Sequence, residues 1–169
     1  MTKEKFRTKY GPWAVIAGGS QGIGEAFARK LAERKINLIL LARNKEKLDK
    51  LAKDIIKTYA VEVRSISVDL TDSQAYQNIY TITDDLNIGF LVYNAAKIPI
   101  GNFLSFSLEE QFEVLDLNCR GPIILIDHYA RKMKERKAGG IILVSSMSYF
   151  PHFSHIEGRW KQFRGLFPT

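Results

Sequence analysis

The sequence contains very little cysteine and no long apolar run. Cys119 is the one cysteine among 169 residues, so an internal disulfide is excluded and a reducing compartment is indicated. No apolar run approaches the roughly 20 residues that a membrane-spanning helix requires. The basic segment 1–10 is not followed by the apolar core of a signal peptide. These absences predict a cytoplasmic protein without a membrane span.

Metal ligands are also scarce, and the charge pattern is ordinary. His152 and His155 have the spacing of a ligand pair, but no further ligands cluster near them. The net charge of +7 would suit a nucleic acid, an anionic membrane surface or an anionic cofactor. However, basic and acidic residues alternate, as in 45–57, which is typical of solvated helix faces. No nucleic-acid-binding motif accompanies them, so we expect neither a metal site nor a nucleic-acid partner.

Apolar strand-like segments alternate with amphipathic helix-like segments along the chain. The pattern predicts strands at 13–17, 37–42, 61–68, 88–93 and 140–144, and helices at 25–32, 45–59, 73–85 and 108–137. Gly121 and Pro122 predict a break or kink in the last of these helices. This alternation indicates an α/β fold, a doubly wound parallel sheet of the Rossmann-like type, in one domain over 1–154.

A glycine-rich turn separates the first predicted strand from the first predicted helix. Glycine allows a tight turn and close approach to a ligand, and the following helix directs free N–H groups at an anion. The turn therefore predicts a nucleotide site, with these residues as candidates: Gly18, Ser20, Gln21, Gly22, Ile23 and Gly24.

The end of the second strand indicates which nucleotide binds. An acidic residue there would bind the 2′-hydroxyl of NAD, whereas Ala42 and Arg43 occupy this position. Arginine pairs well with a phosphate through charge-assisted hydrogen bonds, which favours NADP over NAD. The alternative is that Arg43 only begins the basic face of the following helix.

Four later segments complete a family pattern. These are Val68-Asp69-Leu70, Tyr93-Asn94-Ala95-Ala96, Asn118, and Ser145-Ser146. Together with the glycines, they resemble the classical short-chain dehydrogenase/reductase family, with Ala17 where the family has threonine. The resemblance implies hydride transfer between NADP(H) and a carbonyl or alcohol. It implies cofactor contacts from Asp69, Leu70, Asn94, Ala95 and Ala96, and catalytic roles for Asn118 and Ser146.

The sequence departs from this family after Ser146. The family uses a tyrosine as proton donor and a lysine one helical turn later, which lowers the pKa of the tyrosine. Arg159 and Phe163 stand at the corresponding positions, or Trp160 and Arg164 if the alignment shifts by one residue, and neither pair can take these roles. We therefore expect a chain truncated after about the fifth strand, with an unrelated tail over 155–169 and impaired catalysis. The alternative is a non-catalytic nucleotide-binding or interaction module that associates with itself or with full-length relatives through 108–137.

Overall fold

The computed structural model describes residues 1–145, and within them five parallel strands form one sheet. The strands are β1 (Trp13–Ala17), β2 (Asn37–Ala42), β3 (Val63–Ser67), β4 (Ile88–Tyr93) and β5 (Gly140–Leu143). The α-helices are α1 (Lys3–Tyr10), α2 (Gly22–Glu33), α3 (Lys45–Tyr59), α4 (Ala75–Thr83), α5 (Leu108–Leu115) and α6 (Gly121–Glu135). A 3₁₀ turn covers Phe103–Ser105, and a π-turn covers Asp116–Arg120.

The strand order is β3-β2-β1-β4-β5. The chain builds outward from β1 through β2 to β3, then returns to add β4 and β5 on the other side. All four strand pairings are parallel. The order therefore reverses between β1 and β4, and such a switch point is where doubly wound folds bind ligands. The predicted Rossmann-like fold is confirmed.

Helices cover both faces of the sheet because its central strands are apolar on both sides. Every residue of β1 and β4 is buried, as expected for interior strands of a parallel sheet. Side chains alternate between the faces: Ala14 and Ile16 pack in the cluster that includes α2 and α3 residues, whereas Val15 packs with Leu125 and Tyr129 of α6. Two apolar layers thus hold the loops at the carboxyl ends of the strands.

Two elements differ from the sequence pattern. Helix α1 was not predicted; its Phe6 and Tyr10 rings lie 6.2 and 5.1 Å from the Phe90 ring, so contacts distant in sequence anchor it. The helix predicted over 108–137 is divided into α5, the π-turn and α6. The predicted break is therefore present, and it takes the form of a π-turn that ends immediately before Gly121.

Within residues 1–145, strand β5 pairs with β4 alone and lies at the edge of the sheet. Ile141 and Leu143 on this strand are exposed. The predicted tail over 155–169 lies outside the described residues.

Candidate functional site

A cleft of about 390 Å³ opens at the carboxyl ends of the central strands. It brings together most of the residues predicted to bind the cofactor. Those lining it are Gly18, Ser20, Gln21, Gly22, Arg43, Asp69, Leu70, Asn94, Ala95 and Ala96. The other two predicted residues, Ile23 and Gly24, lie in the first turn of α2 and do not line the cleft.

In the turn between β1 and α2, different structural features explain why glycine stands at 22 and at 24. Gly22 has a φ of +59°, and a Cβ built on it would meet nothing within 4 Å, so a side chain here would enter open space. Gly24 has the opposite surroundings, because its Cβ would lie 2.0 Å from the Gly18 carbonyl oxygen. Gly22 therefore leaves room beside the helix, and Gly24 lets α2 pack against the turn.

Asn94 connects the end of β4 to this turn. Its side-chain Nδ2 donates to the Gly18 carbonyl oxygen at 3.1 Å, and its backbone N–H donates to the Ala17 carbonyl at 2.9 Å. These bonds fix the distance between the two central strands at the switch point. In the structure Asn94 shapes the cleft, and its predicted cofactor contact stays a prediction.

Arg43 lies at one end of the cleft together with two residues that the sequence analysis did not single out. Asn44 caps α3, since its Oδ1 accepts from the Lys47 backbone N–H at 2.9 Å. The Lys47 ammonium donates to Gln21 Oε1 at 2.9 Å and so spans from α3 to the glycine turn. Lys47 lies in the first turn of α3, which directly follows Arg43 and the N-cap residue Asn44, and this closeness in sequence is the signal that could have identified it as a second basic group at this end.

Asp69 follows β3, and its side chain is ionised and able to accept hydrogen bonds. Burial alone would raise the pKa of Asp69, but two hydrogen bonds from Thr71 and the positive charges of Arg43 and Lys97 outweigh it. Its Oδ1 accepts from the Thr71 backbone N–H at 3.0 Å and from the Thr71 hydroxyl at 2.8 Å. The pKa of Asp69 therefore lies below its ordinary value, and the group is a carboxylate at neutral pH.

Asn118 lies on the π-turn, and both the oxygen and the nitrogen of its side-chain amide bond to the loop after β4. Its Oδ1 accepts from the Lys97 backbone N–H at 2.9 Å, and its Nδ2 donates to the Lys97 carbonyl at 2.8 Å. The Lys97 ammonium forms an ion pair with Glu113 of α5. Asn118 thus holds one wall of the cleft in place. Its predicted catalytic role stays a prediction, and Ser146, the other predicted catalytic residue, lies outside the described residues.

Metal-ligating side chains and long apolar helices can be assessed over the described part of the chain. Over residues 1–145, no group of three or more histidine, cysteine, aspartate or glutamate side chains is placed to hold a metal ion. No helix in that range is long and apolar enough to cross a membrane.

The reversed strand order and the glycine turn beside it define the class of α/β folds that bind dinucleotides. A family model described as short chain dehydrogenase matches residues 12–156. The chain belongs to the short-chain dehydrogenase family.

Individual relatives agree with this family. The 7beta-hydroxysteroid dehydrogenase of Clostridium sardiniense is 34% identical over 143 residues, covering 85% of this chain and 55% of the relative. The inactive hydroxysteroid dehydrogenase-like protein 1 of Homo sapiens is 36% identical, covering 83% of this chain and 43% of the relative. A solved short-chain dehydrogenase from Sphingobium yanoikuyae in complex with NADPH matches with a TM-score of 0.78 at 29% identity, covering 84% of this chain and 56% of that chain. The chain thus spans about half the length of the curated relatives it matches.

Proposed function

We propose that this chain binds NADP(H) and represents the cofactor-binding half of an oxidoreductase that transfers hydride between NADP(H) and a carbonyl or alcohol. The observation that carries the proposal is the cleft itself. It joins a glycine turn at the switch point to a basic end formed by Arg43 and Lys47. The cytoplasmic location expected from the single cysteine stays a prediction.

The glycine turn suits the pyrophosphate of a dinucleotide. The first N–H groups of a helix have no partner inside the helix, and the side chain of Gln21, the N-cap residue of α2, does not cap them. They adjoin the open space left by Gly22, so an anion can approach them closely. The positive end of the α2 dipole adds to this attraction.

The preference for NADP rests on the charges at the other end of the cleft. Arg43 and Lys47 both line it, and Asn44 between them caps α3 without adding a negative charge. A 2′-phosphate would gain charge-assisted hydrogen bonds from such groups, whereas the 2′-hydroxyl of NAD would gain little. A neighbouring solved structure holds NADPH, which supports the same choice.

The proposed reaction class follows the relatives, several of which are hydroxysteroid dehydrogenases by name. We propose steroid-like or other bulky ketones and alcohols as the substrates of the lineage. For this chain we propose little or no turnover, because Arg159 and Phe163 stand where the family pattern has its tyrosine and lysine. A guanidinium stays protonated at any useful pH and is no proton donor.

Fluorescence titration with NADPH and NADH tests the cofactor proposal. We expect Arg43→Asp to weaken NADPH binding by about tenfold or more and NADH binding much less, because a charge-assisted bond contributes about 1.5–3 kcal/mol. Arg7→Asp is the matched control, since it makes the same charge change on exposed α1, away from the cleft. Equal weakening of both cofactors by Arg43→Asp would refute the NADP assignment. Robust NADPH-dependent reduction of a steroid ketone panel would refute the proposed lack of turnover.

A second candidate function is association, as a non-catalytic module, with another copy or with a full-length relative. Leu108, Phe112, Leu115 and Ile123 are each more than half exposed, and their spacing places them along one side of α5 and α6. Sedimentation at increasing concentration tests this, with Phe112→Gln expected to shift the protein toward monomer. Ile56→Gln, an exposed isoleucine on α3, is the control. A wild-type protein that stays monomeric throughout, alone and mixed with a full-length relative, would refute the association.

A further inference from the structure

Tyr93 is the first residue of Tyr93-Asn94-Ala95-Ala96, the segment that resembles the family's Asn-Asn-Ala-Gly pattern, so a tyrosine stands here where the family has asparagine. It is the last residue of β4 and only 4% exposed. Its hydroxyl donates to the Leu117 carbonyl oxygen at 2.6 Å. Leu117 belongs to the π-turn between α5 and α6. A buried side chain at the end of the sheet therefore reaches a backbone group in the following helical segment.

The Leu117 carbonyl needs this partner because the π-turn removes its helical one. In an α-helix it would accept from the N–H of Gly121, but that N–H donates to the Asp116 carbonyl instead. The next nitrogen along the chain belongs to Pro122, which has no hydrogen to donate. A buried carbonyl without a partner is costly, so the Tyr93 hydroxyl supplies the bond that the turn leaves open.

Gly121 provides the space for that hydroxyl. A Cβ on Gly121 would lie 2.3 Å from Tyr93 Oη, 2.9 Å from Tyr76 Oη and 3.2 Å from Tyr93 Cζ, so the Tyr93 hydroxyl is its closest contact. Gly121 has ordinary helical φ and ψ angles, so backbone conformation does not require glycine here. Tyr93 and Gly121 are therefore complementary, and the pair ties the π-turn to the end of β4.

The π-turn lies on the β4 side of the cleft, whereas Arg43 of the basic end follows β2 on the other side of β1. Leu117 lines the cleft beside Ala95 and Ala96, and Asn118 on the same turn holds the Lys97 backbone at both its N–H and its carbonyl. Movement of the π-turn would therefore move both Leu117 and the loop after β4 that carries Lys97. If Arg43 receives the 2′-phosphate of the adenosine, the nicotinamide half lies on this opposite side.

We propose that Tyr93 is a positioning residue for the nicotinamide half of the cofactor, acting by holding the π-turn at the cleft through the Leu117 carbonyl. This inference rests on the proposed binding of NADP(H). Tyr93 does not itself line the cleft, so its effect passes through Leu117 and Asn118. The proposal therefore predicts that loss of the Tyr93 hydroxyl weakens the binding of the nicotinamide half and leaves the binding of the adenosine half unchanged.

Calorimetric titration of the wild type and Tyr93→Phe with NADPH and with 2′,5′-ADP tests the proposal. The second ligand carries only the adenosine half, so it does not reach the π-turn. We expect Tyr93→Phe to weaken NADPH by about fivefold or more, the scale of one lost hydrogen bond, and to leave 2′,5′-ADP within about twofold of the wild type. Equal weakening of both ligands, or no change in either, would overturn the proposal.

Tyr129→Phe is the matched control. Tyr129 is also buried, and its hydroxyl lies 2.9 Å from the Thr83 hydroxyl, so this variant too loses a buried hydrogen bond. Tyr129 does not line the cleft, so any loss of binding in this variant is expected to be the same for NADPH and 2′,5′-ADP. A loss confined to NADPH in Tyr129→Phe would show that the split does not report on the π-turn, and would overturn the proposal.

Hydrogen exchange separates failure of this inference from failure of the proposed function. We expect Tyr93→Phe to speed amide exchange at 117–121 and at Lys97, with less change in α2. Gly121→Ala is expected to do the same, and adding Tyr93→Phe to it is expected to raise its unfolding temperature because the closest contact is removed. If the wild type binds neither ligand, the proposed function fails and the inference falls with it. If the wild type binds NADPH but amide exchange at 117–121 and at Lys97 is the same in Tyr93→Phe as in the wild type, the inference alone is overturned.

Discussion

Replacing Gly24 by alanine is expected to damage the protein far more than the same change at two neighbouring glycines. The new Cβ would lie 2.0 Å from the Gly18 carbonyl oxygen and 3.0 Å from Asn94 Nδ2. Both groups belong to one bonded unit, since Asn94 Nδ2 donates to that same carbonyl. The methyl group therefore requires α2 to move away from the turn or the Asn94–Gly18 bond to break.

The magnitude follows from these contacts. Overpacking a well-packed site costs about 1–3 kcal/mol, and loss of the hydrogen bond adds about 1 kcal/mol, so we expect Gly24→Ala to cost about 2–4 kcal/mol. Gly22→Ala meets no neighbour within 4 Å but keeps a φ of +59°, which costs about 1–2 kcal/mol for a residue with a Cβ. Gly19→Ala has its nearest contact at 3.2 Å and no positive φ, so we expect less than about 1 kcal/mol.

Urea unfolding followed by circular dichroism at one temperature measures this order. The three variants share composition and a common turn, so differences among them report local geometry. Gly22→Ala should in addition weaken NADPH binding, because its methyl group would project into the open space beside α2. A Gly24→Ala protein within about 0.5 kcal/mol of the wild type, or one more stable than Gly22→Ala, would refute the packing described for the turn.

Three further predictions concern other contacts. Asn118→Leu removes both bonds to Lys97 and is expected to cost about 1–2 kcal/mol and to speed exchange of the Lys97 amide; unchanged exchange would contradict this. The buried hydroxyls of Thr83 and Tyr129 lie 2.9 Å apart, so in urea unfolding Thr83→Val should cost about 1–3 kcal/mol, and the double variant with Tyr129→Phe should cost less than the sum. Burial, aided by the positive charge of Lys132, lowers the pKa of His128. Its contribution to stability is therefore complete above the unfolded-state pKa of about 6.5, and it is lost as the pH falls below that value through the lower folded-state pKa. In His128→Gln, the free energy of unfolding should change less as the pH falls below about 6.5. The same pH dependence as in the wild type would show that another group is responsible.

The fold could be predicted because its signals are local. Runs such as Trp13–Ala17 and Ile88–Tyr93 are continuously apolar, as buried parallel strands must be. Helix α3 has a clear apolar face that includes Leu48 and Leu51, and both residues are buried. The glycine turn stands between such a strand and a helix, so its place at the switch point follows from the order of the elements.

The features that could not be predicted depend on contacts distant in sequence. Helix α1 is mostly charged and has no buried residue, and its two aromatic residues, Phe6 and Tyr10, pack beside Phe90 of β4. In the π-turn, the Leu117 carbonyl accepts from the Tyr93 hydroxyl, which approaches from strand β4. No local pattern encodes such a bond, and a proline-containing segment predicts a break without specifying its geometry.

Three buried tyrosines of the described part lack the surroundings that the resemblance implies for the family's proton donor. The resemblance implies a tyrosine that gives its proton to the substrate while a nearby lysine lowers its pKa. Burial instead raises the pKa of Tyr93 and of Tyr129, and it raises the pKa of Tyr76 to about 12. Each hydroxyl also has a partner, and those of Tyr93 and Tyr76 are 2.6 and 2.7 Å from the carbonyls to which they donate. A tyrosine that is a weaker acid than usual and whose proton is already bonded is a poor donor, so a proton for the family's reaction has to come from residues other than these three.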